Sequence, residues 1–347
     1  MDNPFTLSFG RKPYQYISRL NLSGRVVETF QSEHPSSQVY MLTGVRGSGK
    51  TVLMTEIVKQ FEGSDDWITL ELNPESDILE DLASKLYMSP ECRKLFIKAK
   101  LDLSVFGFGF SIEKGKELTN METAVDLMLK ELQKHGKKLL ISIDEVTNSR
   151  NIRIFASAFQ IYMRKDYDVF LIMTGLYENL YNLQNENTMT FLYRAPKVML
   201  EPLNMNAIIR SYGDIFDIPD KEAADMAVAT KGYAFAYQVL GYIKWENQKR
   251  PLEELFSRYD EYLEEFVYDK IWSELSDNDM RVVAAITGED EMRVKELLHK
   301  INMSSSLFST YRDRLVKKGL LDTSRYGYVR LSLPRFSEFA RKRMLYE

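Results

Sequence analysis

The stretch that most constrains this chain is Gly44-Val45-Arg46-Gly47-Ser48-Gly49-Lys50-Thr51, which satisfies G-x-x-x-x-G-K-[ST] at every fixed position. Ahead of it, Val39-Tyr40-Met41-Leu42 reads as a short buried strand; behind it, Val52, Leu53, Ile57 and Val58 recur at helical spacing. Strand, glycine loop and helix in that order form the setting of a phosphate cradle. The glycines let the backbone curl until several N–H groups face an anion. The helix that follows adds the positive end of its dipole. The pattern gives Gly44, Val45, Arg46, Gly47, Ser48 and Gly49 to the cradle, Lys50 to the β and γ phosphates, and the Thr51 hydroxyl to Mg²⁺.

A cradle of this kind needs carboxylates at the end of another strand. Lys138-Leu139-Leu140-Ile141-Ser142-Ile143 is too continuously apolar to be half-exposed, so it belongs inside a parallel sheet, and it runs straight into Asp144-Glu145. Those acids stand where doubly wound folds place ligands. Asp144 is expected to hold Mg²⁺ through water and Glu145 to polarise the attacking water. A further buried strand, Asp168 to Gly175, ends in a polar Thr174, assigned to the γ-phosphate; a strand-end threonine that caps a turn is the bland alternative. Arg194 precedes a last strand, Lys197 to Leu200, where it could complete a neighbouring subunit's site or serve as a surface ion-pair partner.

With Trp67–Leu72, five strands and their intervening helices give an α/β, three-layer αβα P-loop domain over residues 1–203. Val105 to Ile112 alternates aromatic and small residues, which predicts an inserted hairpin or edge strand. Residues 204–273 read as helix throughout, a small helical lid whose Tyr237, Tyr242, Tyr259 and Tyr262 are core. Residues 274–347 have a different grammar. Helices over Asp279–Ile286 and Arg293–Ile301 lead, after Asn302-Met303, to a third that Ser304-Ser305-Ser306 caps. An alternating Tyr326–Leu333 hairpin completes a winged helix-turn-helix. On the third helix Leu307, Phe308, Tyr311 and Leu315 are expected inside. Ser309, Thr310, Arg312, Asp313 and Lys317 are expected outside, with Arg325 and Arg330 on the wing. This set suits double-stranded DNA through residues 304–330, though winged helices also serve as purely protein-binding modules.

Composition narrows the classes. The formal net charge of −4 gives no global sign of a nucleic-acid or membrane partner, but residues 276–347 carry 14 Lys/Arg against 10 Asp/Glu, a local excess of four. One cysteine, Cys92, allows no disulfide framework and suggests a reducing, cytoplasmic setting. The three scattered histidines offer neither a zinc site nor a His-based triad. No apolar run approaches a membrane span, so neither anchor nor signal peptide is expected.

Phosphate loop, Asp144-Glu145, Thr174, Arg194, lid and winged helix, in that order, resemble AAA+-type ATPases related to origin-recognition proteins and to STAND signalling NTPases. Asn3-Pro4-Phe5, Phe9-Gly10 and Pro13 are similar to the opening of bacterial ATP-binding proteins of that group. Ser18-Arg19 stands where those carry Gly-Arg. The resemblance implies ATP over GTP, Mg²⁺, an AAA+-like fold and assembly into a homo-oligomer or with a partner protein. Origin-type members place an arginine at the start of a lid helix; Lys231-Gly232-Tyr233-Ala234-Phe235-Ala236 has none, so slow or assembly-dependent hydrolysis is expected. The leading expectation is an ATPase switch with ATP and ADP as its ligands and a DNA-contacting winged helix. A nucleotide-controlled scaffold that binds protein is the alternative. A P-loop kinase is disfavoured because no acceptor pocket is identifiable.

Overall fold

The computed structural model describes residues 2–8, 13–99, 121–186 and 189–346. The strand expected over 105–112 and the Phe9-Gly10 step lie outside these residues. Two compact units emerge. One comprises Met1–Arg19, Gly44–Val52 and Leu200–Glu347, the other Leu20–Thr43 and Leu53–Met199.

The second unit holds the sheet. Its strands are β1 (Val39–Thr43), β2 (Trp67–Leu72), β3 (Lys138–Ile143), β4 (Val169–Gly175) and β5 (Lys197–Met199), in the spatial order β2-β3-β4-β1-β5. Every pairing is parallel, with Leu42 opposite Thr174, Thr43 opposite Gly175, and Ile143 opposite Met173. The three central strands are buried almost without a break, whereas the edge strands β2 and β5 expose part of their length. Helices on both faces produce this pattern, because alternate side chains point to opposite sides of a strand and each side is covered. On one face Val39, Met41, Leu139, Ile141, Leu171 and Met173 share a core with residues of helices Ile78–Met88, Met121–Lys134 and Arg150–Arg164. On the other, Phe170 packs 5.1 Å from Phe30 of helix Leu20–Gln31 and 5.0 Å from Trp67 (ring centroids), and Trp67 lies 4.3 Å from Phe61. Phe30, Phe61 and Phe170, all fully buried, each contribute roughly 1.5–3 kcal/mol of transfer free energy. Cys92 is wholly buried, and that burial pushes its thiol pKa up.

Short helices that periodicity did not separate, Pro90–Lys98, Tyr177–Gln184 and Thr190–Arg194, complete this unit. Ser149 caps Arg150–Arg164, whose buried face begins at Ile152.

In the other unit the helices Met205–Phe216, Asp220–Thr230, Ala234–Glu246 and Leu252–Leu263 surround Tyr212, Tyr237 and Tyr259, all buried. Leu252–Leu263 continues through a π-helical turn, Glu264–Tyr268, into Asp269–Ser273. The proline-bearing lead-in is a strap on this core. Phe5 is 2% exposed and lies 5.5 Å from Tyr237 and 5.8 Å from Phe216. Gln238 pins the strap, accepting from the Thr6 amide and donating to the Gln15 carbonyl.

The C-terminal part of the same unit contains helices Asp277–Ile286, Val294–Ile301 and Ser305–Lys317, then a three-stranded sheet, β6 (Met292–Arg293), β7 (Leu321–Asp322) and β8 (Tyr328–Leu331), ordered β6-β8-β7. Both pairings are antiparallel. A capping box between Ser276 and Asp279 starts the first helix, and left-handed Asn302 ends the second. Phe308 and Leu315 are inside as expected, but Leu307 is 45% exposed. It sits in the helix's first turn, capped by Ser304, and only from Phe308 onward does that face turn inward. A last helix, Phe336–Tyr346, seats Phe336 and Phe339 against Tyr268.

Candidate functional site

The phosphate loop starts at the residue after β1, and helix Lys50–Lys59 opens within it. Gly47 and Gly49 take φ of 71° and 91°, values that L side chains resist. Gly47 has a second reason to be glycine: a Cβ there would lie 2.3 Å from the Tyr233 hydroxyl. The loop closes on itself through a Ser48 N–H to Val45 carbonyl bond of 3.2 Å. The Lys50 ammonium donates to the carbonyls of Gly44 (3.0 Å) and Val45 (3.1 Å). Ser48's hydroxyl is buried with no hydrogen-bond partner among the described residues. A ring of glycine-permitted backbone, an ammonium at its mouth and an orphaned hydroxyl fit an anion such as a triphosphate.

Arg46 contributes backbone to this ring, while its side chain turns to Glu274, 2.7 Å away and about a third exposed. Three residues outside the motif also grip the loop. Tyr233 donates to the Arg46 carbonyl, the Phe235 amide to that of Gly47 (3.0 Å), and Arg19 to that of Ser48 (3.1 Å). The sequence set Arg19 at the arginine of a family Gly-Arg pair and Tyr233 only inside a lid stretch that lacks an arginine; no spacing rule signals a side chain that holds a loop from behind.

In the unit that holds the sheet, Asp144, Glu145 and Thr174 come together. Thr174 is fully buried at the end of β4, and its hydroxyl donates to the Asp144 carboxylate. The Glu145 amide in turn donates to the Thr174 Oγ1 and to Asp144 Oδ1, both at 3.1 Å. Glu145 sits at φ 54°, a left-handed conformation for a non-glycine residue, and its side chain is exposed. Asp144 is half-buried. Threonine hydroxyl, aspartate carboxylate and glutamate amide thus form one small network, in which Thr174 orients the acids. Arg194 ends its short helix in the open, one residue from exposed Tyr193, with no ion-pair partner among the described residues.

Lys231 follows helix Asp220–Thr230 in the left-handed region, and its ammonium donates to the Leu331 carbonyl of β8 at 3.2 Å. Burial pulls its pKa down. The lysine at the lid's expected arginine position is therefore engaged with the C-terminal sheet.

Among the described residues no group of three or more His, Cys, Asp or Glu side chains could hold a metal, and no helix is long and apolar enough to cross a membrane. Mg²⁺ at a phosphate loop does not need such a cluster. Its oxygen ligands come largely from the nucleotide and water, and the Thr51 hydroxyl and Asp144 carboxylate are hard donors of the right kind.

Fold and loop together define an α/β P-loop domain. Residues 26–194 match the family model described as an ATPase domain predominantly from Archaea, and residues 265–340 match one described as a domain of unknown function. Two solved structures share the fold over nearly their whole length. One is a Walker-type ATPase of Pyrococcus abyssi, with TM-score 0.64 and 14% identity over 97% of this chain and 99% of that one. The other is the Aeropyrum pernix ORC2 protein, in ADPNP–ADP complexes, with TM-score 0.57 and 13% identity over 98% of each chain. No curated protein matches the sequence.

Proposed function

We propose that this chain binds ATP and ADP at Gly44–Thr51 and hydrolyses ATP slowly, as a nucleotide-dependent conformational switch. The observation that carries this reading is the loop itself, a motif-perfect ring whose glycines take positive φ and whose lysine stands at its mouth. Lys50 and the loop amides hold the phosphates. Thr51 and Asp144 are the residues that would hold Mg²⁺, which when bound neutralises charge on the phosphate oxygens. Glu145, exposed on a strained turn, accepts the proton of the attacking water. Thr174 keeps both acids in place. Arg194, exposed and without an ion-pair partner among the described residues, suits donation to a neighbouring protomer's nucleotide. Residues 1–203, 204–273 and 274–347 serve as ATPase core, lid and output module.

Titration calorimetry with ATP and Mg²⁺ tests the core of this. Lys50→Ala should lose binding, whereas Glu145→Gln should bind and not turn over. Hydrolysis by Glu145→Gln at the parent rate would remove Glu145 from the role of base. Light scattering with and without ATP tests Arg194: assembly supports action in trans, and a strict monomer opposes it.

The C-terminal module has the order of elements of a winged helix, and one observation bears on its partner. Arg314 pairs with Asp279 (2.5 Å), Lys317 with Asp313 (2.6 Å), Arg330 with Asp322 (2.5 Å), and Arg325 with Glu291. Four of its cations are thus already answered by acids of the same module, which favours a protein partner over a DNA backbone. Duplex binding that falls steeply with salt would overturn that preference, since counterion release is the mark of phosphate contact.

A further inference from the structure

Three successive carbonyls of the phosphate loop are held from outside by groups far away in the sequence. Tyr233 Oη donates to Arg46 O at 2.5 Å, Phe235 N to Gly47 O at 3.0 Å, and Arg19 Nη2 to Ser48 O at 3.1 Å. A trans peptide is planar, and its C=O and N–H point in opposite directions. Holding the Arg46 carbonyl outward therefore turns the Gly47 N–H inward, and holding the Ser48 carbonyl does the same for the Gly49 N–H. The middle peptide is fixed at both ends, because the Ser48 N–H already donates to the Val45 carbonyl. Glycine is the residue least able to fix its own peptide planes, so a ring rich in glycine needs this restraint from elsewhere.

The two side chains are built for it. Tyr233 is 5% exposed, and burial drives its pKa far up, so the hydroxyl stays a donor. The ring is wedged where Gly47 lacks a side chain. Arg19 spans two main-chain acceptors, Ser48 O and Glu201 O, the latter at 2.6 Å.

We infer that Tyr233 and Arg19 are positioning residues for phosphate binding, which aim the Gly47 and Gly49 amides by gripping the carbonyls behind them. The inference rests on the reading of Gly44–Thr51 as a nucleotide site. Since both residues act on the loop's amides and not on the base, their effect falls on ligands that carry a β-phosphate. It also makes the segment that opens helix Ala234–Glu246 a determinant of affinity without touching nucleotide.

The test is the binding of MgATP, ADP and inorganic tripolyphosphate, by calorimetry, to the full chain and four variants. Tyr233→Phe removes one hydroxyl and keeps the ring; Arg19→Met keeps the stem and loses both bonds. Each should weaken all three ligands about tenfold, the effect of leaving one buried acceptor unanswered. Glu274→Gln, which alters only the side-chain contacts to Arg46 and Lys270, should bind like the parent. The tripolyphosphate arm separates positioning from a general loosening of the fold, because it reports the loop alone. Parent-like binding by Tyr233→Phe and Arg19→Met would overturn the inference. So would an equal loss in Glu274→Gln, which would mean that any disturbance around the loop has the same effect. Should Tyr233→Phe not fold, Arg19→Met carries the decision. Lys50→Ala distinguishes the two levels: a parent that binds no better than Lys50→Ala sinks the nucleotide reading, and a parent that binds while the clamp variants match it sinks the clamp alone.

Discussion

The phosphate loop and the acid turn both contain backbone in the left-handed region, and they fill it differently. The loop puts glycine there, at Gly47 and Gly49; the turn puts Glu145 there, at φ 54°. A left-handed conformation costs roughly 1–2 kcal/mol for a residue with a Cβ. Glycine avoids that cost and is the natural choice where only the main chain works, as it does where amides face an anion. At position 145, where the proposed function calls for a side chain, the surroundings hold the strain: the Glu145 amide is bonded to both Thr174 and Asp144.

If the loop works through its backbone, adding one methyl to it should be the most damaging single change. Gly47→Ala meets an unfavourable φ and a Cβ 2.3 Å from the Tyr233 hydroxyl and 2.9 Å from the Phe235 Cβ. Left-handed strain and overpacking together should cost roughly 2–5 kcal/mol, read as a lowered denaturation midpoint. Nucleotide binding should be lost with it. A variant that melted like the parent would show that the ring is loose enough to absorb a side chain, and the contrast with the acid turn would fail.

The turn should break through a side chain instead. Thr174→Val keeps the shape of a fully buried residue and deletes the hydroxyl that joins Asp144 to Glu145. The loss should be about 1–3 kcal/mol in chemical denaturation, since the half-buried Asp144 carboxylate loses a donor and the Glu145 amide an acceptor. Thr174→Ser should restore most of it. Equal stability of the Val and Ser variants would remove Thr174 from its orienting role.

Glu145→Gly separates strain from function, because the two should move in opposite directions. Removing the Cβ relieves left-handed strain and should raise stability by about 1 kcal/mol. Removing the carboxylate should lower ATP turnover about a hundredfold or more with ATP still bound. A fall in both would mean that the Glu145 side chain stabilises the turn, and that position 145 is no sacrifice of stability for chemistry.

The same contrast explains what could be read before any coordinates. Gly44–Thr51 is visible because its constraint is steric and local, and a fixed spacing of glycines, lysine and threonine records it. Strands β1, β3 and β4 are visible because helices cover both faces of the sheet and leave unbroken apolar runs. Edge strand β5, half-exposed and three residues long, came out shorter than its pattern suggested. Tyr233 and Arg19 were not legible as loop partners. They reach it from residues 187 and 29 positions away along the chain, and a tyrosine before a helix looks like any core tyrosine. Leu307 misled because helical periodicity gives the inward side of a helix without saying where along its length that side is covered.

The smallest effect is also the most direct check on the backbone reading of the loop. Besides Lys50, Arg46 is the loop residue with a long charged side chain, and that side chain is committed to Glu274 at 2.7 Å. Both partners are about a third exposed, so solvent screens the pair and holding two flexible side chains offsets part of the attraction. Glu274→Gln should therefore cost less than about 1 kcal/mol, and the difference from the parent should shrink as salt is raised. Nucleotide affinity should not change, because the Arg46 carbonyl keeps its bond to Tyr233 and the Gly47 amide keeps its direction. A loss larger than that of Thr174→Val, or one indifferent to salt, would mean that the Arg46 guanidinium, and not the main chain alone, shapes the ring.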